Sequence, residues 1–295
     1  MKKFLNGPWV LILPTIIVLT CVVFLPLLIS LWTSFTPFKL TKPDTLYRFV
    51  GLRNYERLVG DYDFWIAFGR TVLFLTIALN LELVFGLGIA LLINKITYAQ
   101  KTLRTLMMFP MMFSPILVGF QWKYIFNDNI GLLNNFLREF GVINPIPWLV
   151  DAVLANFSIM AAEIWSSTSV FAILLLAGLM GIPKDPIEAA KVDGCNSWQV
   201  FKNITLPFLM PFIFIAMTIR SLDVARAYDI VQMMTGGGPA KRTELLWTLI
   251  SRTGYVDAKM GMANAMSYIS IFLSIAFTFF FFYKLMEARK ILSYD

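Results

Sequence analysis

Residues 182–207 read IPKDPIEAAKVDGCNSWQVFKNITLP, a stretch too polar to cross a membrane and too patterned to be a plain connector. It reads as two short helices. Asp185 is placed to cap the first, with Pro186 at the first helical position and Glu188 three residues after the cap to complete a capping box. Gly194 ends that helix, because glycine takes the left-handed conformation that a helix terminus often needs. A second segment runs from Ser197 to Ile204, and Leu206 and Pro207 lead out of it.

On both sides of this stretch the composition turns apolar. Residues 152–183 carry one charge, Glu163, and residues 203–219 carry none. Similar windows cover 71–94, interrupted only by Glu82, then 105–122 and 260–283. No charge occurs between Lys3 and Lys39, a run too long for the apolar core of a signal peptide and without a small-residue cleavage site. With 58% hydrophobic and 15% charged residues over 295 positions, the solvent of this chain is mostly lipid. The runs are continuous and lack the two-residue alternation of barrel strands, so each closes its own backbone hydrogen bonds as a helix. The expected fold class is all-α: a polytopic membrane protein, one domain of six transmembrane helices at about 9–35, 66–94, 104–126, 152–180, 207–234 and 260–285. Pro14, Pro26, Pro110 and Pro115 are expected as kinks or helix ends.

The same composition excludes much chemistry. There is no histidine, and the two cysteines are Cys21 in a span and Cys195 in a loop. A histidine metal site, a histidine-dependent triad and a disulfide framework are therefore not expected. The net charge of +7 is scattered over loops without interleaved stacking aromatics, which fits anionic lipid headgroups and not nucleic acid. No G-x-x-x-x-G-K-[ST] phosphate loop is present, and Gly-Lys occurs nowhere.

The order Glu188-Ala189-Ala190, three residues, Gly194, nine residues, Ile204, one residue, Leu206-Pro207 resembles the EAA loop of binding-protein-dependent ABC transporter permeases. LPTIIVLTCVVFLPLLISLWTSF (13–35), FVGLRNYERL (49–58) and YDIVQMMTGGGPAKRTELL (228–246) are similar to the first span, first outer loop and post-fifth-span segment of the sugar-transporting branch, which includes the maltose and glycerol-phosphate systems. The resemblance implies a type I importer permease whose loop 182–207 is a cytoplasmic coupling helix docking on an ATP-hydrolysing subunit. Glu188, Ala189, Ala190, Asp193, Gly194, Ile204, Leu206 and Pro207 are then the coupling residues. It also implies a bacterial inner membrane, both termini cytoplasmic, a second similar permease subunit, two ATP-binding subunits and an extracytoplasmic solute-binding protein. The chain itself catalyses nothing and needs no cofactor or metal, ATP and Mg being used by the partner ATPase. With the N-terminus inside, inner segments carry eleven Lys and Arg and outer loops ten, so charge alone leaves the orientation nearly balanced. A permease for a polyol phosphate or an anionic sugar is the alternative. An ion-coupled secondary transporter would explain charges within spans, but not the EAA loop, and no inverted repeat is visible.

The fifth window continues into RSLDVARAYD (220–229), with Arg220, Asp223, Arg226 and Asp229 at three-residue spacing. Counted from Pro207, Arg220 lies about 20 Å and Asp229 about 33 Å along the helix. A charge costs roughly 2.5 to 3.5 kcal/mol at the bilayer centre, so this stretch must face protein or water. Three-residue steps drift by about 60°, so the four cannot share one face of a regular helix. Either they neutralise one another, or they pair with other helices and meet solute, or the helix is irregular. Tyr228 and Asp229 match an aromatic-Asp position of the sugar branch. Glu82 is expected to pair with an arginine of another helix. Glu163, Trp165 and the SSTS run after it suit hydrogen bonding to sugar hydroxyls with the indole stacking on the ring, or packing through small residues. The expected solute path is Arg220, Asp223, Arg226, Tyr228, Asp229, Glu163 and Trp165. TGGGPAKRT (235–243) is expected as an outer turn, open to a docked binding protein or merely flexible.

Overall fold

A computed structural model describes residues 8–96 and 98–292, so the basic start at Lys2 and Lys3 lies outside the described residues. Among the described residues the only β pairing is an isolated bridge between Lys39 and Lys42. The other regular elements among the described residues are helices, joined by turns and irregular loops. α1 (Pro8–Leu19) continues through a π-turn at Thr20–Phe24 into α2 (Leu25–Ser34), followed by α3 (Arg53–Val59) and α4 (Tyr62–Lys95). α5 (Gln100–Met108), α6 (Pro115–Ile125), α7 (Leu132–Glu139) and α8 (Ala152–Met180) come next. α9 (Lys184–Val192) and α10 (Ser197–Val200) lead through a π-turn at Phe201–Thr205 into α11 (Leu206–Val224). α12 (Asp229–Met234), α13 (Leu246–Ser251) and α14 (Met260–Leu292) complete the chain.

Among the described residues, five helical runs are long and apolar enough to cross a membrane: Ile12–Ser34, Tyr62–Lys95, Ala152–Met180, Ser197–Val224 and Met260–Arg289. The third expected span, 104–126, is not a straight helix. It is a pair, Gln100–Met112 and Pro115–Ile125, bent by 92°. Pro110 opens a 3₁₀ turn, Phe113 and Ser114 are extended, and the Ser114 hydroxyl caps α6 by accepting from Leu117 N at 3.4 Å. A residue before proline is pushed out of the helical region, and Ser114 stands before Pro115. The fifth span also differs from 207–234. It begins at Ser197 and stops at Val224, where Arg226 N–H and Ala227 N–H turn back to the carbonyls of Asp223 and Val224, both at 3.0 Å. Such tightened i−3 bonds are a common way for a helix to end.

Both π-turns that precede α2 and α11 sit just before Leu-Pro: Thr20–Phe24 before Leu25-Pro26, and Phe201–Thr205 before Leu206-Pro207. A proline ring clashes with the carbonyl four residues back and offers no N–H. Widening the preceding turn, with Leu25 bonded to Thr20 O and Leu206 to Phe201 O, lets each helix run on through the proline.

The contacts group into two units. In the first, Met1–Trp65 with Leu249–Ile271, Asn54 donates to the carbonyls of Ser34 and Thr36 at 2.7 and 2.8 Å, and Tyr268 donates to Leu27 O at 2.6 Å. The second, Ile66–Thr248 with Phe272–Asp295, holds the main core. There Leu75, Ala78 and Leu79 of α4, Phe171 and Leu175 of α8, and Leu209, Ile213 and Ala216 of α11 are buried together. Lipid tails are as apolar as leucine, so close backbone approach has to supply much of the cohesion. Gly86 marks such a place: a Cβ there would meet Phe171 Cβ at 2.4 Å and Ala172 N at 3.0 Å.

Candidate functional site

The segment 182–207, expected to couple to an ATPase, is built almost wholly from local bonds. Asp185 is not its cap. Pro183 stands at the cap position, and α9 starts at Lys184, which places Asp185 and Pro186 within the first turn, where a proline has no helical N–H bond to lose. At the other end, Gly194 takes φ +81°, Gly194 N–H bonds Lys191 O at 3.1 Å and Cys195 N–H bonds Ala190 O at 2.9 Å. This pair of bonds is a Schellman closure. α10 is then fastened by a capping box: Asn196 Oδ1 accepts from Gln199 N at 2.9 Å, and Asn196 N–H donates to Gln199 Oε1 at 2.7 Å. The N-x-x-Q spacing of that box is visible in the sequence. Of the eight residues expected to couple, Ala190 is buried, Ile204 and Leu206 are half-buried, and Glu188, Ala189, Asp193, Gly194 and Pro207 are exposed. Val192 and Trp198 are 88% and 67% exposed, two apolar side chains standing out from a polar loop.

α10, the π-turn and α11 form one run from Ser197 to Val224, so Arg220 lies about 35 Å from Ser197 along it. Arg220 is buried and gathers carboxylates from three helices. Its Nε donates to Glu82 Oε2 at 3.0 Å, its Nη2 to Glu82 Oε1 at 3.1 Å and to Glu163 Oε1 at 2.8 Å, and its Nη1 to Asp223 Oδ2 at 3.4 Å. The two-pronged contact with Glu82 matches the flat guanidinium fork to a carboxylate. Glu82, fully buried on α4, is thus the partner of an arginine on another helix, as its isolation in an apolar span suggested.

Beside this knot lies a cavity of about 390 Å³ bordered by Glu163, Ser166 and Ser167 of α8, by Pro115 of α6, and by Arg220, Asp223 and the turn Arg226–Ile230. The helix break explains how Arg220 and Asp229, which would face opposite ways on a regular helix, reach one space. Arg226 is 55% exposed at its side chain, 4.0 Å from Asp223 Oδ1, and its Nε donates to Leu222 O at 3.1 Å. Six of the seven expected path residues therefore meet at the cavity. Trp165 does not border it. Its ring packs against Phe113 at 6.5 Å and Trp122 at 5.8 Å, because two positions along a helix turn a side chain through about 200°. Ser166 and Ser167 border the cavity, the Ser166 hydroxyl donating to Glu163 O at 3.0 Å and lying 3.3 Å from that of Ser167, while Thr168 and Ser169 donate to the carbonyls of Ile164 and Met107. Pro115, from the far limb of the bent pair, had no sequence signal linking it to this site.

The turn after α12 is closed by its own bonds. Gly236 and Gly237 have φ of +61° and +87°, and the Thr235 and Thr243 hydroxyls lie 2.8 Å apart.

A family profile described as binding-protein-dependent transport system inner membrane component matches residues 82–292. The chain belongs to this family. The permease is 34% identical over 273 residues to the trehalose/maltose transport system permease protein MalF of Thermococcus litoralis, covering 92% of this chain and 90% of that one. It is 32% identical to the sulfoquinovosyl glycerol transport system permease protein SmoG of Agrobacterium fabrum, over 91% and 86% of the two chains. In fold it resembles a chain of a bacterial ABC transporter involved in import of the acidic polysaccharide alginate, with TM-score 0.82, 22% identity and 98% of each chain covered. The permease is thus a multi-pass, all-α transport component, and the segment 182–207 and the charged cavity are two features of this chain.

Proposed function

We propose that this permease forms half of the translocation path of an ATP-driven importer for a sugar or sugar derivative, with the segment 182–207 and both termini on the cytoplasmic side. The observation that carries the reading is the unbroken run Ser197–Val224, which joins an exposed coupling segment to the wall of a polar cavity. Glu188, Ala189, Asp193 and Gly194 present the docking face, and Val192 and Trp198 offer apolar contact to an ATPase subunit. Hydrolysis belongs to that partner, since this chain has no phosphate loop. A push on the segment moves the run as a body and opens the cavity to one side or the other. A binding protein delivers the solute, and a second permease subunit completes the path. The sugar class is supported by the trehalose/maltose relative and by a cavity rich in hydroxyl and carboxylate acceptors.

The test is uptake of labelled trehalose and maltose into proteoliposomes containing the assembled importer and internal or external ATP as orientation requires. Uptake should vanish with a hydrolysis-dead ATPase. Persistence of uptake in that case would rule out the importer reading.

A further inference from the structure

An arginine in a solute cavity invites the assumption that it receives an anionic group of the solute. The geometry at Arg220 argues otherwise. A guanidinium has five N–H donors, and four of those on Arg220 are committed, two to Glu82, one to Glu163 and one to Asp223. Glu82 lies behind the cavity wall and takes the Nε side of the fork at 3.0 Å, so the charge of Arg220 is matched before any solute arrives. Asp223 and Glu163 then approach the same guanidinium from the cavity side at 3.4 and 2.8 Å.

What remains to face the cavity is one further cation and an excess of carboxylate. Arg226 stands against Glu163, Asp223 and Asp229. Glu163 is 8% exposed and borders the cavity, and its Oε1 is held by Arg220. A carboxylate so placed accepts from a hydroxyl and repels another anion, and beside it the Ser166 hydroxyl, whose proton goes to Glu163 O at 3.0 Å, offers lone pairs to a solute hydroxyl. Partial burial weakens screening of these charges by salt.

Given that the cavity is the solute path, as proposed above, we infer that it is built for uncharged polyhydroxyl solutes and excludes their anionic counterparts. Arg220 is a positioning residue, fixing Glu163 and Asp223 at the cavity wall, and is not an anchor for phosphate, sulfonate or carboxylate. This separates the permease from the polyol-phosphate and anionic-sugar alternatives.

The field can be read without knowing the solute. In the assembled transporter with Cys21→Ser and Cys195→Ser, a single thiol is placed by Ser166→Cys or, separately, by Ala227→Cys. Its reaction rates with cationic, neutral and anionic methanethiosulfonates are divided by those of a free thiol. The cationic reagent should react about tenfold faster than the anionic one, since clefts lined by one sign of charge concentrate counter-ions by factors of 10 or more. Asp229→Asn, at a residue outside the described ion pairs, should lower that ratio about threefold. A ratio at or below that of the free thiol at both positions overturns the inference, and so does failure of the neutral reagent to react at either. Loss of trehalose and maltose uptake with the ratio intact would count against the sugar-import reading alone, so the two failures are distinguishable.

Discussion

The coupling segment and the Arg220 knot are both polar places in an apolar chain, yet they are held in opposite ways. In the coupling segment the closing bonds join residues three to five apart: Asn196 to Gln199, Gly194 to Lys191, Cys195 to Ala190. At the knot Arg220 bonds residues 138 and 57 positions away. The coupling segment is exposed, and water satisfies whatever its side chains leave open. The knot is buried, where an unpaired charge is costly and its buried partners, Glu82 and Glu163, must be brought from other helices. Local bonds thus suffice where solvent helps, and long-range pairing is forced where it does not.

That contrast can be broken most severely at Arg220. Arg220→Ala strands Glu82 and Glu163 as buried carboxylates, and should cost about 3–5 kcal/mol in denaturant unfolding of the purified permease in detergent. Arg220→Met combined with Glu82→Gln and Glu163→Gln should recover most of that loss, because replacing a whole buried ion cluster is far milder than removing one member. A single Arg220→Ala variant within about 1 kcal/mol of the parent would mean that water reaches the knot, and the contrast would collapse.

In the coupling segment the effects should be smaller and confined. Gly194→Ala places a Cβ at φ +81°, a penalty of about 1–2 kcal/mol, which should appear as roughly tenfold faster hydrogen exchange at the end of α9 without a matching change in global unfolding. Asn196→Ala should lose about 1 kcal/mol from the start of α10, and Asn196→Asp should retain most of it. The smallest change belongs to Arg226→Ala. Its contact with Asp223 is 4.0 Å long and both side chains are 55% exposed, so unfolding should shift by less than about 1 kcal/mol. A larger loss would place Arg226 with the buried residues and not with the surface.

The same division explains what the sequence made legible. The apolar windows, the two short helices of 182–207 and the left-handed Gly194 follow from local patterning, and the structure contains them. The Asp185 cap failed locally too: Pro183 offered an earlier start, and a proline in the first turn is compatible with either choice. Glu82 could be read as someone's partner because a lone carboxylate in an apolar helix needs one. That Arg220 would take Glu82 and Glu163 together was not readable, since nothing in the spacing of one helix encodes which face meets another. Trp165 shows the cost of reasoning by proximity in sequence, for it lies two residues from Glu163 and packs into a different cluster. The bend at Pro110–Pro115 was announced by its prolines, but its 92° size and the resulting arrival of Pro115 at the cavity were not.

The π-turn at Phe201–Thr205 has one more consequence. By letting the chain pass Pro207 without a break, it makes Ser197–Arg220 one continuous arm, which under the proposed function is a lever with its handle in the segment 182–207 and its load at the guanidinium. Over an arm of about 35 Å, a tilt of about 10° at the handle sweeps the load through about 6 Å. That stroke is longer than any of the bonds Arg220 makes.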